Sequence, residues 1–263
     1  MQFLQSVYKD TTTYVNSYIK PPQGKVYLVT GASQGIGKAI AHELGRQGKA
    51  LVLVARNEKK LLEVKEDIAH KYNVPVITIC FDVTDFDGYQ KLFATAQAKL
   101  SSVDTIILNA GTFSAHKVGK TGFLKDISVL ETNLLAPISC INEFVANAKQ
   151  HKIKNPHIVV ITSIAAEMPS MQAGAYGASK SGLTKYVESC ALELESEGFY
   201  FTNIQPGFIA TDLSDNAIKG IFKYACIDVE WCAKETVYAI NRRQRQRYIP
   251  HWLYFIPRIL QII

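Results

Sequence analysis

From residue 26 onward, short apolar runs alternate with longer stretches whose apolar positions recur every three to four residues. The runs fall at 26–30, 50–55, 76–82, 105–109, 157–162 and 200–205. They are rich in Val and Ile and mostly lack in/out alternation, the pattern of strands buried on both faces. The helical patterns between them cover 36–47, 58–72, 86–100, 127–149 and 175–197. A further helix over 229–241 leads to a short seventh strand at 247–249. Regular strand–helix alternation implies right-handed crossovers and a parallel sheet covered on both sides. The predicted fold is therefore α/β, a doubly wound parallel sheet of Rossmann type with about seven strands.

Three segments follow. Residues 1–23 form an N-terminal extension whose Phe3, Leu4, Val7, Tyr8, Val15, Tyr18 and Ile19 recur at helical spacing. Residues 24–250 form one Rossmann-type domain, and 251–263 an apolar end. The N-terminus lacks the continuous apolar core and cleavage site of a signal peptide. No apolar run reaches the roughly 20 residues that span a bilayer.

The chemistry begins at the first strand–helix junction, Thr30-Gly31-Ala32-Ser33-Gln34-Gly35-Ile36-Gly37. Gly31 permits a tight exit from the strand, Gly35 lets the backbone approach a pyrophosphate, and Gly37 lets helix and strand pack closely. The helix N-terminus offers unpaired N–H groups and a positive dipole end to an anion. A glycine cluster in this strand–turn–helix context predicts dinucleotide binding. The second strand ends on Arg56 where an NAD-preferring site places an acid, and Ser33 lies in the turn. A guanidinium suits a 2′-phosphate, so the expected cofactor is NADPH/NADP+. The alternative is an arginine that merely caps a strand. Further along, Tyr176 and Lys180 stand four apart on one helix face, a spacing that lets an ammonium lower the phenol's pKa. Ser163 ends the fifth strand, where its hydroxyl could bind a carbonyl.

Together these motifs resemble the short-chain dehydrogenase/reductase family in its compact single-domain subclass, over about residues 24–250. The matching positions also include Asp82, Asn109-Ala110-Gly111, Asn133, and Pro206-Gly207 followed by Thr211. One departure is Leu108, where the family usually has Asn before Asn109. The resemblance implies Tyr176 as general acid, with Lys180 holding the nicotinamide ribose and depressing the Tyr176 pKa. It implies that Ser163 positions the carbonyl and Asn133 anchors a water-linked proton relay. Asp82 and Val83 would contact the adenine, Asn109 the ribose region, and Ile209 and Thr211 the nicotinamide carboxamide. The cofactor set it implies is Gly31, Ser33, Gln34, Gly35, Ile36, Gly37, Arg56, Asp82, Val83, Asn109, Ala110, Gly111, Tyr176, Lys180, Pro206, Gly207, Ile209 and Thr211. It also implies a homodimer or homotetramer, since the family often pairs through the helices at 127–149 and 175–197. No metal is implied.

Apolar residues on the loops beyond the strand ends, namely Phe113, Met168, Met171, Phe208, Ile209 and Leu213, favour a lipophilic carbonyl or alcohol substrate. The stretch 52–60 and the apolar end look more loosely like 3-ketosphinganine reductases and membrane-associated hydroxysteroid or retinol dehydrogenases. A second class of reading is a non-catalytic dinucleotide-binding module tethered to a membrane or partner by its C-terminal segment. The intact Ser163, Tyr176 and Lys180 speak against it.

Charge changes the picture only once it is located. The chain of 263 residues is 48% hydrophobic and carries +6, but residues 242–263 hold five Arg and no acid. The rest has 24 basic and 23 acidic residues, so a domain-wide footprint for nucleic acid is absent. Arg beside Trp252, Tyr254 and Phe255 reads as an interfacial anchor for peripheral membrane contact through 242–263. Two other readings stand beside it: a solvated helix-to-strand connection, and an apolar end packed on the domain or a second subunit. RNA binding by the Arg run lacks a stacking platform and ranks last. Five Cys without CxxC or zinc spacing read as reduced thiols, which points to the cytoplasm, with a peripheral place on the cytosolic face of a membrane.

Overall fold

A computed structural model describes residues 26–120, 122–169, 171–209 and 226–255. The N-terminal amphipathic pattern, Thr211, Leu213, most of the stretch from 212 to 227 and the last eight residues lie outside the described residues. Seven parallel strands form one sheet in the order β3-β2-β1-β4-β5-β6-β7. They are β1 (Val26–Thr30), β2 (Ala50–Ala55), β3 (Val76–Cys80), β4 (Thr105–Leu108), β5 (His157–Ile161), β6 (Tyr200–Pro206) and β7 (Gln246–Ile249). The helices are α1 (Gly35–Arg46), α2 (Glu58–Tyr72), α3 (Tyr89–Lys99), α4 (Phe123–Leu130), α5 (Ala136–Gln150), α6 (Gly174–Leu194) and α7 (Val229–Asn241).

The central strands are buried on both faces, and successive side chains point to opposite layers. Tyr27 and Val29 of β1 join one core with Ile40, Leu44, Leu61, Ile68 and Val237 of α1, α2 and α7. Val26 and Leu28 join the other with Phe93, Phe144, Leu183 and Val187 of α3, α5 and α6. β3 differs from its expectation: it lies at the sheet edge and most of its residues stay half-exposed.

Local chemistry sets the helix limits. The Asn57 side chain accepts from the Lys60 N–H at 3.0 Å to open α2, and Asn73 closes it in the left-handed region at φ 51°. Asp228 caps α7 by accepting from the Trp231 N–H at 2.7 Å. The helix expected at 86–100 begins only at Tyr89, because residues 82–88 make turns of their own around Asp82 and Asp85. The helix expected over 127–149 starts earlier and is not continuous. α4 passes through a π turn at Glu131–Leu135, closed by the Ala136 N–H on the Glu131 carbonyl, before α5 begins. Apolar periodicity does not register such a bulge, which adds one residue to a turn.

The strand order reverses between β1 and β4, and a crevice opens there beyond the carboxyl ends of the strands. Among the described residues no helix is long and apolar enough to cross a membrane.

Phe144 is fully buried and its ring lies 5.8 Å from that of Phe93. Phe144→Ala is expected to lower stability by about 3–5 kcal/mol. A urea-unfolding midpoint unchanged from that of the parent chain would show that this layer is not packed as described.

Candidate active site

The glycine turn after β1 is shaped by what surrounds it. Gly31 has φ +65° and Gly35 φ +55°, in the left-handed region that disfavours side chains. A Cβ at Gly31 would lie 2.9 Å from the Ala110 Cα and from the Asn109 Nδ2. One at Gly37 would overlap the Gly31 carbonyl oxygen and the Asn109 amide. The Asn109 Nδ2 donates to the Thr30 carbonyl at 3.1 Å and to the Gly31 carbonyl at 3.3 Å. The Thr30 hydroxyl accepts from the Asn109 and Ala110 N–H groups at 3.0 and 3.1 Å. Asn109 was expected near a ribose, but its amide is committed to holding the turn. Thr30 stitches β1 to β4 and was not singled out as a site residue. Its only sequence signal was its place at the head of the glycine motif.

α1 starts at Gln34 with no side-chain cap and no acidic residue in its first turn. Its leading N–H groups at Gly35, Ile36 and Gly37 therefore suit an anion, with Ser33 beside them. The turn fits the diphosphate of a dinucleotide. The Gln34 side-chain oxygen accepts from the Lys60 Nζ at 3.0 Å. At the end of β2, Arg56 is 78% exposed and stands 3.7 Å from the Asp82 carboxylate. The Asp82 pKa is lowered, chiefly by hydrogen bonds from Thr84 and further by Arg56. Val83 follows, its carbonyl accepting from the Tyr89 hydroxyl at 2.8 Å.

The residues with reactive side chains gather on the other side of the crevice. Ser163 is buried just past β5, and its hydroxyl oxygen accepts from the Ala165 N–H at 3.1 Å. Burial raises the Tyr176 phenol, and the Ser163 hydroxyl pulls it the other way. Lys180 is buried one helical turn along α6, with its Nζ donating to the Ile161 carbonyl at 2.9 Å and lying 5.7 Å from the Tyr176 ring centre. Burial brings Lys180 down to about 8, and burial also raises Tyr176. Desolvation is the larger influence on Tyr176, and the opposing one comes from Ser163.

Asn133 sits fully buried in the π turn. Its Nδ2 donates to the Thr112 carbonyl at 2.9 Å, and its Oδ1 accepts from the Thr112 N–H at 2.8 Å. Its Nδ2 also lies 3.3 Å from the Ser179 Oγ, which donates to the Tyr176 carbonyl at 2.7 Å. The side chain therefore clamps the 109–112 strip to α6. Thr112 and Ser179 were missed by sequence reasoning. Neighbouring positions carried the signal, and only the fold shows that both face Asn133. A Cβ on Gly111 would lie 3.3 Å from the Asn133 Oδ1 and 3.8 Å from the Lys180 Nζ, so Ala110 and Gly111 bridge the two halves.

On the far side, Pro206 ends β6 and the Gly207 N–H donates to the Ile249 carbonyl at 2.9 Å. The Ile209 side chain is buried in the core, and Ile209 forms an isolated parallel bridge with Ile227. The ring of Phe113 stands edge-on to Tyr176 at 5.3 Å.

Lys180 supplies a measurable pH dependence. The unfolded lysine titrates near 10.5 and the folded one near 8, so between these values the unfolded chain binds the extra proton. Stability attributable to this residue therefore rises as pH is raised through 8, by up to about 3 kcal/mol. Unfolding free energies of the parent chain and Lys180→Met, compared at pH 7 and pH 10, should shift in the parent's favour at the higher pH. A constant difference would contradict the desolvated lysine.

The model of the short chain dehydrogenase family matches residues 25–220. The 11-beta-hydroxysteroid dehydrogenase-like 2 protein of Arabidopsis thaliana is 31% identical over 243 residues, 89% of this chain and 76% of its own. Among solved structures, a short-chain dehydrogenase of Sphingobium yanoikuyae in complex with NADPH superimposes with a TM-score of 0.79. It is 22% identical over 90% of this chain and 92% of its own. A short-chain dehydrogenase/reductase of Burkholderia phymatum in complex with NAD gives 0.82, at 21% identity over 91% and 94%. Fold and matched sequence agree, and the chain belongs to the short-chain dehydrogenase/reductase family of oxidoreductases.

Proposed function

We propose that this chain is an NADP(H)-dependent oxidoreductase that interconverts a lipophilic ketone or aldehyde and its alcohol. The observation that carries the reading is the convergence of Ser163, Tyr176 and Lys180 beside the glycine turn, at the carboxyl ends of β1, β4 and β5. Gly31, Ser33, Gln34, Gly35, Ile36 and Gly37 would hold the diphosphate. Asp82 and Val83 would border the adenine, and Gly111 and Lys180 the nicotinamide ribose, with Pro206, Gly207, Ile209 and Thr211 around the carboxamide. When bound, NADPH supplies the hydride. The Ser163 hydroxyl and the Tyr176 phenol would hydrogen-bond the carbonyl oxygen, and Tyr176 would give it a proton as charge develops there. Burial keeps Tyr176 protonated until that moment, and Ser163 stabilises the phenolate left behind. Asn133 positions this apparatus through Thr112 and Ser179.

The NADP preference is supported by Arg56 at the end of β2, with Lys60 reaching the turn through Gln34. The relatives point both ways, since one solved neighbour carries NADPH and another NAD. A lipophilic substrate (3-ketosphinganine, a steroid, a retinoid or a long-chain carbonyl) is supported by Phe113 on Tyr176, by exposed Met171 and Phe208, and by the hydroxysteroid dehydrogenase-like relative. Pairing through α5 and α6 as a homodimer or homotetramer has the exposed Leu192 as its support. Membrane contact through 242–263, on a cytosolic face, keeps the exposed Trp252, Tyr254 and Phe255 as its support. The arginines give it less, because Arg245 pairs with Glu195, Arg247 with Glu235, and Arg243 stacks on Tyr200 at 3.7 Å. Leu253 packs beneath Gly207.

Tyr176→Phe should lower kcat by at least about 100-fold, the contribution of a positioned proton donor, while NADPH still binds. Cofactor oxidation with a panel of long-chain ketones, aldehydes and steroids measures this, and unchanged turnover would refute the assignment. Arg56→Ala should weaken NADPH by roughly tenfold or more and leave NADH nearly unchanged, the loss of one charge-assisted hydrogen-bond pair. Equal effects on both cofactors, read by fluorescence titration, would assign Arg56 to the surface.

A further inference from the structure

The loop from β4 to α4 carries chemistry that carbonyl reduction does not use. Beyond Phe113 the chain turns at Lys117, where the Lys120 N–H donates to the Lys117 carbonyl at 3.1 Å. Lys117 and Lys120 are exposed, and Val118 between them is 99% exposed. α4 then opens with Phe123 and Leu124, 76% and 79% exposed, followed by exposed Lys125. Across the mouth stands Met171, 91% exposed, and the two loops are joined by the His116 N–H donating to the Gln172 carbonyl at 3.0 Å. No acidic residue occurs from 111 to 125, and Asp126, which follows, is engaged by the His116 ring at 3.2 Å.

Four large apolar side chains in water are thus interleaved on one rim with three cations that form no ion pair among the described residues. The centre of a protein–protein interface is depleted of lysine. A segment that enters a membrane interface has this composition, with apolar groups at the headgroup boundary and lysines on anionic headgroups. We propose that this rim docks on an anionic lipid surface, with Val118, Phe123, Leu124 and Met171 entering the interface and Lys117, Lys120 and Lys125 meeting the headgroups. Phe113 lies on the same loop and its ring touches Tyr176, so docking there opens the site toward the bilayer. The contact holds whichever carbonyl is reduced, and it differs in place from contact through 242–263.

The test is flotation of the full chain with phosphatidylcholine vesicles, with and without about one third phosphatidylserine, at low and high salt. The parent chain should float with the anionic vesicles and lose binding as salt screens the lysines. Lys117→Glu, Lys120→Glu and Lys125→Glu combined should weaken partitioning by roughly 100-fold, at about fivefold per lysine. Phe123→Ser with Leu124→Ser should weaken it further, while the thermal midpoint and cofactor binding stay those of the parent. A parent chain that fails to float, or a triple variant that floats like the parent, overturns the assignment. So does loss of flotation in Trp252→Ser with Phe255→Ser while the rim variants bind normally, which places the contact at the C-terminal end. A fall in oligomeric mass in the rim variants would assign the rim to a second copy of the chain. Vesicle binding without any carbonyl reduction would leave docking standing and remove the catalytic reading instead.

Discussion

The Asn109 carboxamide, lodged between two glycines, is the contact on which the rest of the site depends. It bonds the carbonyls of Thr30 and Gly31 and occupies the space that any Cβ on Gly31 or Gly37 would need. Beside it the Thr30 hydroxyl accepts two N–H groups of the next strand's exit. These bonds fix the turn at the point where the strand order reverses. The turn can then offer bare N–H groups to an anion. A half-buried amide left without these partners would cost about 1–3 kcal/mol, so the arrangement is self-enforcing.

The same strip continues into the reactive half. Ala110 and Gly111 lead to Thr112, which Asn133 grips through both backbone groups, and Asn133 in turn meets Ser179 one residue before Lys180. Cofactor turn and reactive side chains are therefore two ends of one hydrogen-bonded path rather than two independent sites. The π turn is what admits Asn133 to this path, by changing the helix phase between α4 and α5. Electrostatically, burial works against the charged form of both reactive residues, raising Tyr176 and lowering Lys180. Ser163 is the group that opposes burial at the phenol.

Charge is distributed in a way that net totals conceal. Arg242, Arg243, Arg245 and Arg247 contact Tyr238, Tyr200, Glu195 and Glu235, and so fasten β7 and its approaches to the domain. The lysines of the rim at 117–125 have no such partners nearby in sequence except Asp126, already bonded to His116. A basic run in a sequence thus says little about where free positive charge lies, because acidic and aromatic partners come from distant elements.

How much was legible follows from the range of the physics involved. Strand positions, the glycine turn, α2 and α7, and the parallel order are local consequences of hydrophobic period and of Gly, Asn and Asp at element ends, so the sequence by itself determined them. The family and its fold followed from the same motifs. Tertiary structure decided what depends on long-range contact: that Asn109 holds the turn, that Asn133 clamps Thr112 from a π turn, that Ile209 is buried, and that burial governs Tyr176 and Lys180. It also decided that the arginine run is fastened to the domain while Val118, Phe123 and Leu124 stand in water. Side-chain partners about 80 positions apart in the chain cannot be read from periodicity, because only the folded sheet brings Thr30 and Asn109 together.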